Sequence, residues 1–301
     1  MSWRTFPLLL SIVLLAAVVG AAAGRLIDDA SWTPAAIGGG AGAVLGLLVA
    51  VVVARRGGRL RDGSEAQRIS GLPLVAHVLP PGRSETEQRR ADEAFRMLRA
   101  ALTLGGEAAD VVVVSSAAPG EGKTTVAAGL GRAIARAGRP VVVVEADLRR
   151  PGLVAALGLS VSPAPKRGLT AAIVGGVPVE ELLIEVEPGL HLLPAGELPP
   201  NAPELLGSDD AGRVLDELTA RGGTVILDTA PLLPVADTRE LLGHDAPDQV
   251  ILVARPGVVN RAELRDAVGL LPVGTSAILA VSGRAHTPRS YDRYLRDSTP
   301  R

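Results

Sequence analysis

Cysteine is absent from the 301-residue chain, which excludes disulfides, Cys-ligated zinc and iron–sulfur clusters as organising chemistry. A surplus of either charge is absent too. The chain carries 31 basic and 32 acidic residues, a net charge of -1, so it lacks the basic excess of nucleic-acid binders and nucleic acid is not an expected partner. Aromatic residues make up 2 % of the chain, and lysine is rarer still, with Lys123 and Lys166 the only two. Against these absences stands a hydrophobic content of 47 %, and it is unevenly spread, piling up at the N-terminus.

Residues 6–24 (FPLLLSIVLLAAVVGAAAG) and 35–54 (AAIGGGAGAVLGLLVAVVVA) are charge-free apolar runs, each close to the roughly 20 residues a helix needs to cross about 30 Å of hydrocarbon. They are expected to form a transmembrane hairpin. Trp3 and Trp32 flank the first run, where an amphipathic ring sits well at headgroup level. Arg55, Arg56, Arg59 and Arg61 follow the second run, whereas Arg25 in the connector is balanced by Asp28 and Asp29. The excess of basic residues stays on the cytoplasmic side, so the expectation is a two-pass protein of the inner (cell) membrane with both ends in the cytoplasm.

A polar, glycine-rich linker (RRGGRLRDGSEAQR) leads from the hairpin, residues 1–62, into a cytoplasmic domain over 63–285, and a short tail, 286–301, ends the chain. Within the domain, apolar runs of strand length (111–116, 141–147, 224–230, 249–255 and 276–282) alternate with helix-length amphipathic stretches, among them KTTVAAGLGRAIARAG, ELLGSDDAGRVLDELTARG and AELRDAVGLL. Valine-rich runs without polar alternation, separated by helices, predict an α/β fold whose mostly parallel sheet is covered by helices on both faces.

The first of those strands, VVVVSS, runs into AAPGEGKTT. A glycine-rich loop between a strand and a helix is the setting of a phosphate loop. Ala117, Ala118, Pro119, Gly120, Glu121, Gly122, Lys123, Thr124 and Thr125 are its candidate nucleotide-binding residues. Gly120 and Gly122 allow the backbone to curl so that N–H groups point inward, and the helix N-terminus adds partial positive charge. Lys123 supplies a point charge for the outer phosphates, and the Thr124 hydroxyl suits Mg²⁺. Ala117 stands where such loops usually begin with glycine.

Acids stand at two later strand ends: Glu145 and Asp147 in VVVVEADLRRP, and Asp228 in TVILDTAP. The carboxyl ends of parallel strands line one crevice. Asp147 and Asp228, with Thr124, are therefore candidate Mg²⁺ ligands beside the phosphates, and Lys123, Glu145, Asp147 and Asp228 are the candidate catalytic set.

A phosphate loop, an acidic motif on the next strand and ILDTAP further on together resemble the Walker A, A′ and B motifs of the bacterial tyrosine kinases (BY-kinases) of capsule and exopolysaccharide systems. The likeness runs from about residue 70 to the C-terminus and includes LPLVAHVLP, DLRRPGLVAALGL, GLHLLPAGELPPNAPELLGS and DTAPLLPVADTREL. It implies a P-loop NTPase fold, ATP and Mg²⁺ as cofactors, transfer of the γ-phosphoryl group to tyrosine, and work beside the polysaccharide polymerisation and export machinery. A tyrosine phosphatase is a further implied partner. Glu93, Arg96 and Arg99 match the family's E-x-x-R-x-x-R element, which implies a ring-like homo-oligomer.

Tyr291 and Tyr294 are the only tyrosines, and they resemble a reduced form of the family's C-terminal phosphoacceptor cluster. The chain departs from the family in several places. Glu145 replaces an aspartate, for which a role in orienting or deprotonating the phenol is expected, and Ala230 replaces a proline. Ser282 falls near an asparagine that contacts the base, and Arg149 is suited either to an acidic partner or to phosphate. The connector around Trp32 stands where the family's membrane partners carry a large external domain. Two other readings stay open: a membrane-tethered partition-type ATPase switch, and a non-catalytic scaffold of polysaccharide export.

Overall fold

The computed structural model describes residues 58–79, 84–103, 110–159 and 166–283, together with Val44. The chain divides into two units, residues 1–59 and 60–301, and only the second is described at length. The expected hairpin, Val44 apart, and Tyr291 and Tyr294 lie outside the described residues. Among the described residues no helix is long and apolar enough to cross a membrane.

The elements follow one another as α1 (Gly63–Ser70), β1 (Leu74–Val78), α2 (Glu85–Ala101), β2 (Val111–Ser116), α3 (Lys123–Ala135), β3 (Val141–Ala146), α4 (Leu153–Ala156), α5 (Leu169–Gly175), β4 (Ile184–Glu187), β5 (Leu190–Leu193), α6 (Ala202–Leu206), α7 (Asp209–Ala220), β6 (Thr224–Thr229), α8 (Asp237–Leu241), β7 (Gln249–Ala254), α9 (Arg261–Gly269) and β8 (Ser276–Ser282). One eight-stranded sheet has the order β1-β8-β7-β2-β6-β3-β5-β4. Only β4, paired with β5, is antiparallel to its neighbour.

Valine supplies this sheet with side chains for two cores at once. Val111 and Val113 of β2 face one apolar cluster, Val112 and Val114 the other. The first cluster takes in α5, α7 and α9; the second takes in α2, α3 and α4. Every residue of β2, β3 and β6 is buried, and each fully buried Val or Leu contributes roughly 1.5–3 kcal/mol of transfer free energy. The five strands expected from the apolar runs are present. The stretch expected as one helix over ELLGSDDAGRVLDELTARG is two, α6 and α7. The Ser208 hydroxyl accepts a hydrogen bond from Ala211 N at 3.2 Å and so starts a new helix where the first stops.

α2 begins with a reciprocal cap between Ser84 and Glu87 and packs on α3 through Phe95. A Cβ on Gly129 of α3 would lie 2.1 Å from the Phe95 ring, so glycine there sets how closely the two helices approach. That contact fixes the back of α3, whose first turn faces the site.

Candidate active site

The strand order places the carboxyl ends of β2, β6 and β3 side by side, and a cleft of about 370 Å³ opens there, lined by Gly120, Lys123, Thr124, Asp147, Arg149 and Pro231 among others. The loop joining β2 to α3 reaches the helix through Gly120 (φ 82°) and Gly122 (φ 95°), a left-handed backbone that side chains resist. Gly122 caps α3 with no side-chain hydrogen bond. The first-turn N–H groups of α3, which have no partner within the helix, are therefore left for an anion.

Four hydrogen bonds hold the loop from behind. Glu121, fully buried, accepts hydrogen bonds from Ala118 N (2.6 Å) and from Arg255 N at the end of β7 (3.1 Å). Arg255 Nη1 donates to Gly120 O at 3.3 Å, and the Ser282 hydroxyl at the end of β8 donates to Glu121 O. Burial pushes the Glu121 carboxyl up to about 7 although both N–H donors and nearby Lys123 pull it down. Ser282 therefore supports the loop, and Ala117 is buried beneath it. Ala118 takes part through its N–H. The Thr125 side chain is exposed and turns into a separate groove between α2 and α3, because one residue along a helix rotates the side chain by about 100°, while its N–H belongs to the first turn of α3.

Lys123 is only 8 % exposed. Asp228 is 0 % exposed and neither carboxylate oxygen has a hydrogen-bond partner. Burial drives its pKa up to about 7, while the Thr124 hydroxyl, near but outside hydrogen-bonding geometry, and the Lys123 ammonium pull it back. Asp147 is buried at the cleft wall, where one oxygen accepts from Arg149 N (3.3 Å) and Arg150 N (3.0 Å). A buried carboxylate without donors is costly unless something else satisfies it. Together with the Thr124 hydroxyl and the Asp147 carboxylate, and with the Lys123 ammonium nearby, Asp228 makes a donor set that fits a hard cation held together with phosphate.

Glu145 is in a different position. Its two oxygens accept from Leu153 N (2.6 Å) and Ala195 N (3.2 Å). These bonds brace the start of α4 against the loop after β5. Ala230 holds its turn through its carbonyl, which accepts from Ser115 Oγ (2.9 Å) and Thr238 Oγ1 (2.5 Å).

Arg149 makes a two-pronged ion pair with Asp237, at 2.9 and 3.0 Å. Asp237 is 0 % exposed and was not among the expected site residues. An acid closing the apolar run LLPVA was the feature that marked it. On α2, Arg96 pairs with Glu93 at 2.8 Å, and Arg99 donates to Ala133 O of α3 at 2.9 Å. Arg99 is half-buried and ties α2 to α3, while Arg96 is exposed and Glu93 partly exposed.

A phosphate loop with acids at the tips of adjacent parallel strands defines an α/β P-loop NTPase fold. The chain belongs to the family described as cellulose biosynthesis protein BcsQ, whose model matches residues 109–270, and to the same family as tyrosine-protein kinase YwqD of Bacillus subtilis (strain 168). It is 36 % identical to YwqD over 169 residues, covering 56 % of this chain and 69 % of YwqD. It is also similar to EpsB of Ralstonia solanacearum, 29 % identical over 299 residues. That match covers 89 % of this chain but only 39 % of EpsB, so the chain spans about two fifths of that relative's length. Among solved structures, the BceF tyrosine kinase domain superposes with a TM-score of 0.62 at 25 % identity, covering 74 % of this chain and 99 % of that one.

Proposed function

We propose that the chain is a membrane-anchored, ATP- and Mg²⁺-dependent protein-tyrosine kinase that phosphorylates itself and regulates polymerisation or export of a capsular polysaccharide or exopolysaccharide. The observation that carries the reading is Asp228: a fully buried carboxylate with no hydrogen bond, near enough to Thr124 and Lys123 for both to pull its pKa down. In this reading Lys123 and the N–H groups of the first α3 turn hold the outer phosphates, and Thr124, Asp147 and Asp228 hold the ion. Bound MgATP supplies the phosphoryl group and positive charge that offsets what develops on its oxygens. The protein's own share is positioning and fixed electrostatics. Glu121 keeps the loop curled, and Glu145 keeps α4 against the strand ends.

Tyrosine as acceptor is supported by the names of YwqD and the BceF domain and by Tyr291 and Tyr294 being the chain's only two tyrosines. The apolar runs at 6–24 and 35–54 support anchorage in the inner membrane with both ends cytoplasmic. Glu93, Arg96 and Arg99 are proposed contacts to a neighbouring copy in a ring. The polysaccharide machinery and a tyrosine phosphatase are the proposed partners in turn.

The full chain, purified in detergent and incubated with Mg²⁺ and ATP labelled at its γ-phosphate, is expected to label itself. Changing Tyr291 and Tyr294 together to Phe is expected to abolish the label, and Lys123→Met to abolish nucleotide binding. Phosphate release without protein label would mark an ATPase switch instead, and no nucleotide consumption a scaffold.

A further inference from the structure

Arg149 and Asp237 join the segments that follow the two acids of the site, Asp147 after β3 and Asp228 on β6. Asp147 leaves β3, and its carboxylate is held by the backbone N–H groups of Arg149 and Arg150. Asp228 lies on β6, and the chain after it runs through Ala230, whose carbonyl is fastened by Thr238 next to Asp237. The Arg149 guanidinium bridges the two, with Nε and Nη2 each on one oxygen of Asp237. Asp237 is wholly buried whereas Arg149 is 45 % exposed in its side chain and lines the cleft. A planar fork on a buried carboxylate fixes direction as well as distance, which a lysine in its place does not.

We infer that the Arg149–Asp237 pair is a positioning clamp that holds the Asp147 carboxylate in register with Asp228 so that the two receive one divalent ion. The inference rests on the nucleotide reading above and assigns both residues an indirect role. Arg149 acts through the backbone that grips Asp147, and Asp237 acts through Arg149. Groups that orient the ligands of an ion, without touching the ion, set its affinity.

The test measures binding of a fluorescent ADP analogue to the full chain, once with Mg²⁺ and once with EDTA. Wild type is compared with Arg149→Lys and with the double variant Arg149→Ala, Asp237→Asn. The double variant removes the fork and the buried charge together, so it avoids stranding an unpaired carboxylate, and thermal melting checks that it folds. Wild type is expected to bind more tightly with Mg²⁺, and both variants are expected to lose ~10-fold or more of that Mg²⁺-dependent gain while their affinity in EDTA stays at the wild-type level. Variants that fold and keep the full gain overturn the clamp. An equal loss in EDTA overturns it too, because it would mean Arg149 touches phosphate directly. A wild-type protein without nucleotide binding would sink the nucleotide reading itself, and the clamp with it.

Discussion

Glu145 and Asp228 stand opposite each other in the register of β3 and β6, both buried, at 3 % and 0 % exposure. Their surroundings could hardly differ more. Glu145 has a backbone N–H on each oxygen; Asp228 has none on either. An ionised carboxylate that receives its donors is a satisfied part of the fold, whereas one that receives none carries the desolvation cost unrelieved. The same chemical group, one strand apart, is satisfied by backbone donors in one case and left without them in the other. Residue type and strand position do not separate the two; hydrogen-bond accounting does.

The largest effect that probes this contrast is at Asp228. Asp228→Asn is expected to lower ATP turnover and self-labelling by ~10²–10³-fold, the usual cost of losing a fixed charge-stabilising group. The ligand-free protein should melt no lower than wild type, because an unpaired buried charge has been removed. A variant that melts lower would break the comparison. Glu145→Gln is expected to behave in the opposite way. Its carboxamide keeps one acceptor and turns an NH₂ towards the other backbone N–H, so denaturant unfolding should show a loss of about 1–3 kcal/mol. Turnover per folded molecule should stay at the wild-type level. A stable Glu145→Gln variant with turnover abolished would return Glu145 to the role of base.

The parts of this arrangement that were legible in the sequence are those set by local pattern. β2, β3, β6, β7 and β8 are runs of Val, Ile, Leu and Ala buried on both faces, and the curl at Gly120 and Gly122 follows from residues that alone tolerate positive φ. The hairpin of β4 and β5 was not legible: each strand has four residues, and β4 lies at the sheet edge with alternating Ile184, Glu185, Val186 and Glu187, a pattern too short to tell from loop. In the site, the Lys123, Thr124, Asp147 and Asp228 set came from spacing. The partners of Glu121, Glu145 and Arg149 did not. Those bonds join residues 134, 50 and 88 positions apart, and only the folded chain brings them together.

Glu121 adds a third case to the pair and the smallest of the expected effects. It has two N–H donors like Glu145, yet burial outweighs them and its pKa is raised to about 7, as is that of Asp228. In the unfolded chain both groups ionise in the ordinary carboxylate range, so between that range and about pH 7 the folded state holds protons that the unfolded state has released. A raised carboxyl contributes stability that is fully present below its unfolded pKa and is lost as pH rises through the folded value. The slope is at most ~1.4 kcal/mol per pH unit for each group. Ligand-free protein should therefore melt at progressively lower temperature from pH 5 to pH 7, and Glu121→Gln, which cannot ionise, should flatten the fall by one group's share. With Mg²⁺ and nucleotide added, a cation beside Asp228 favours its charged form, so the remaining slope should shrink as well. If the nucleotide left the slope untouched, Asp228 would not be facing the ion, and its contrast with Glu145 would reflect burial alone.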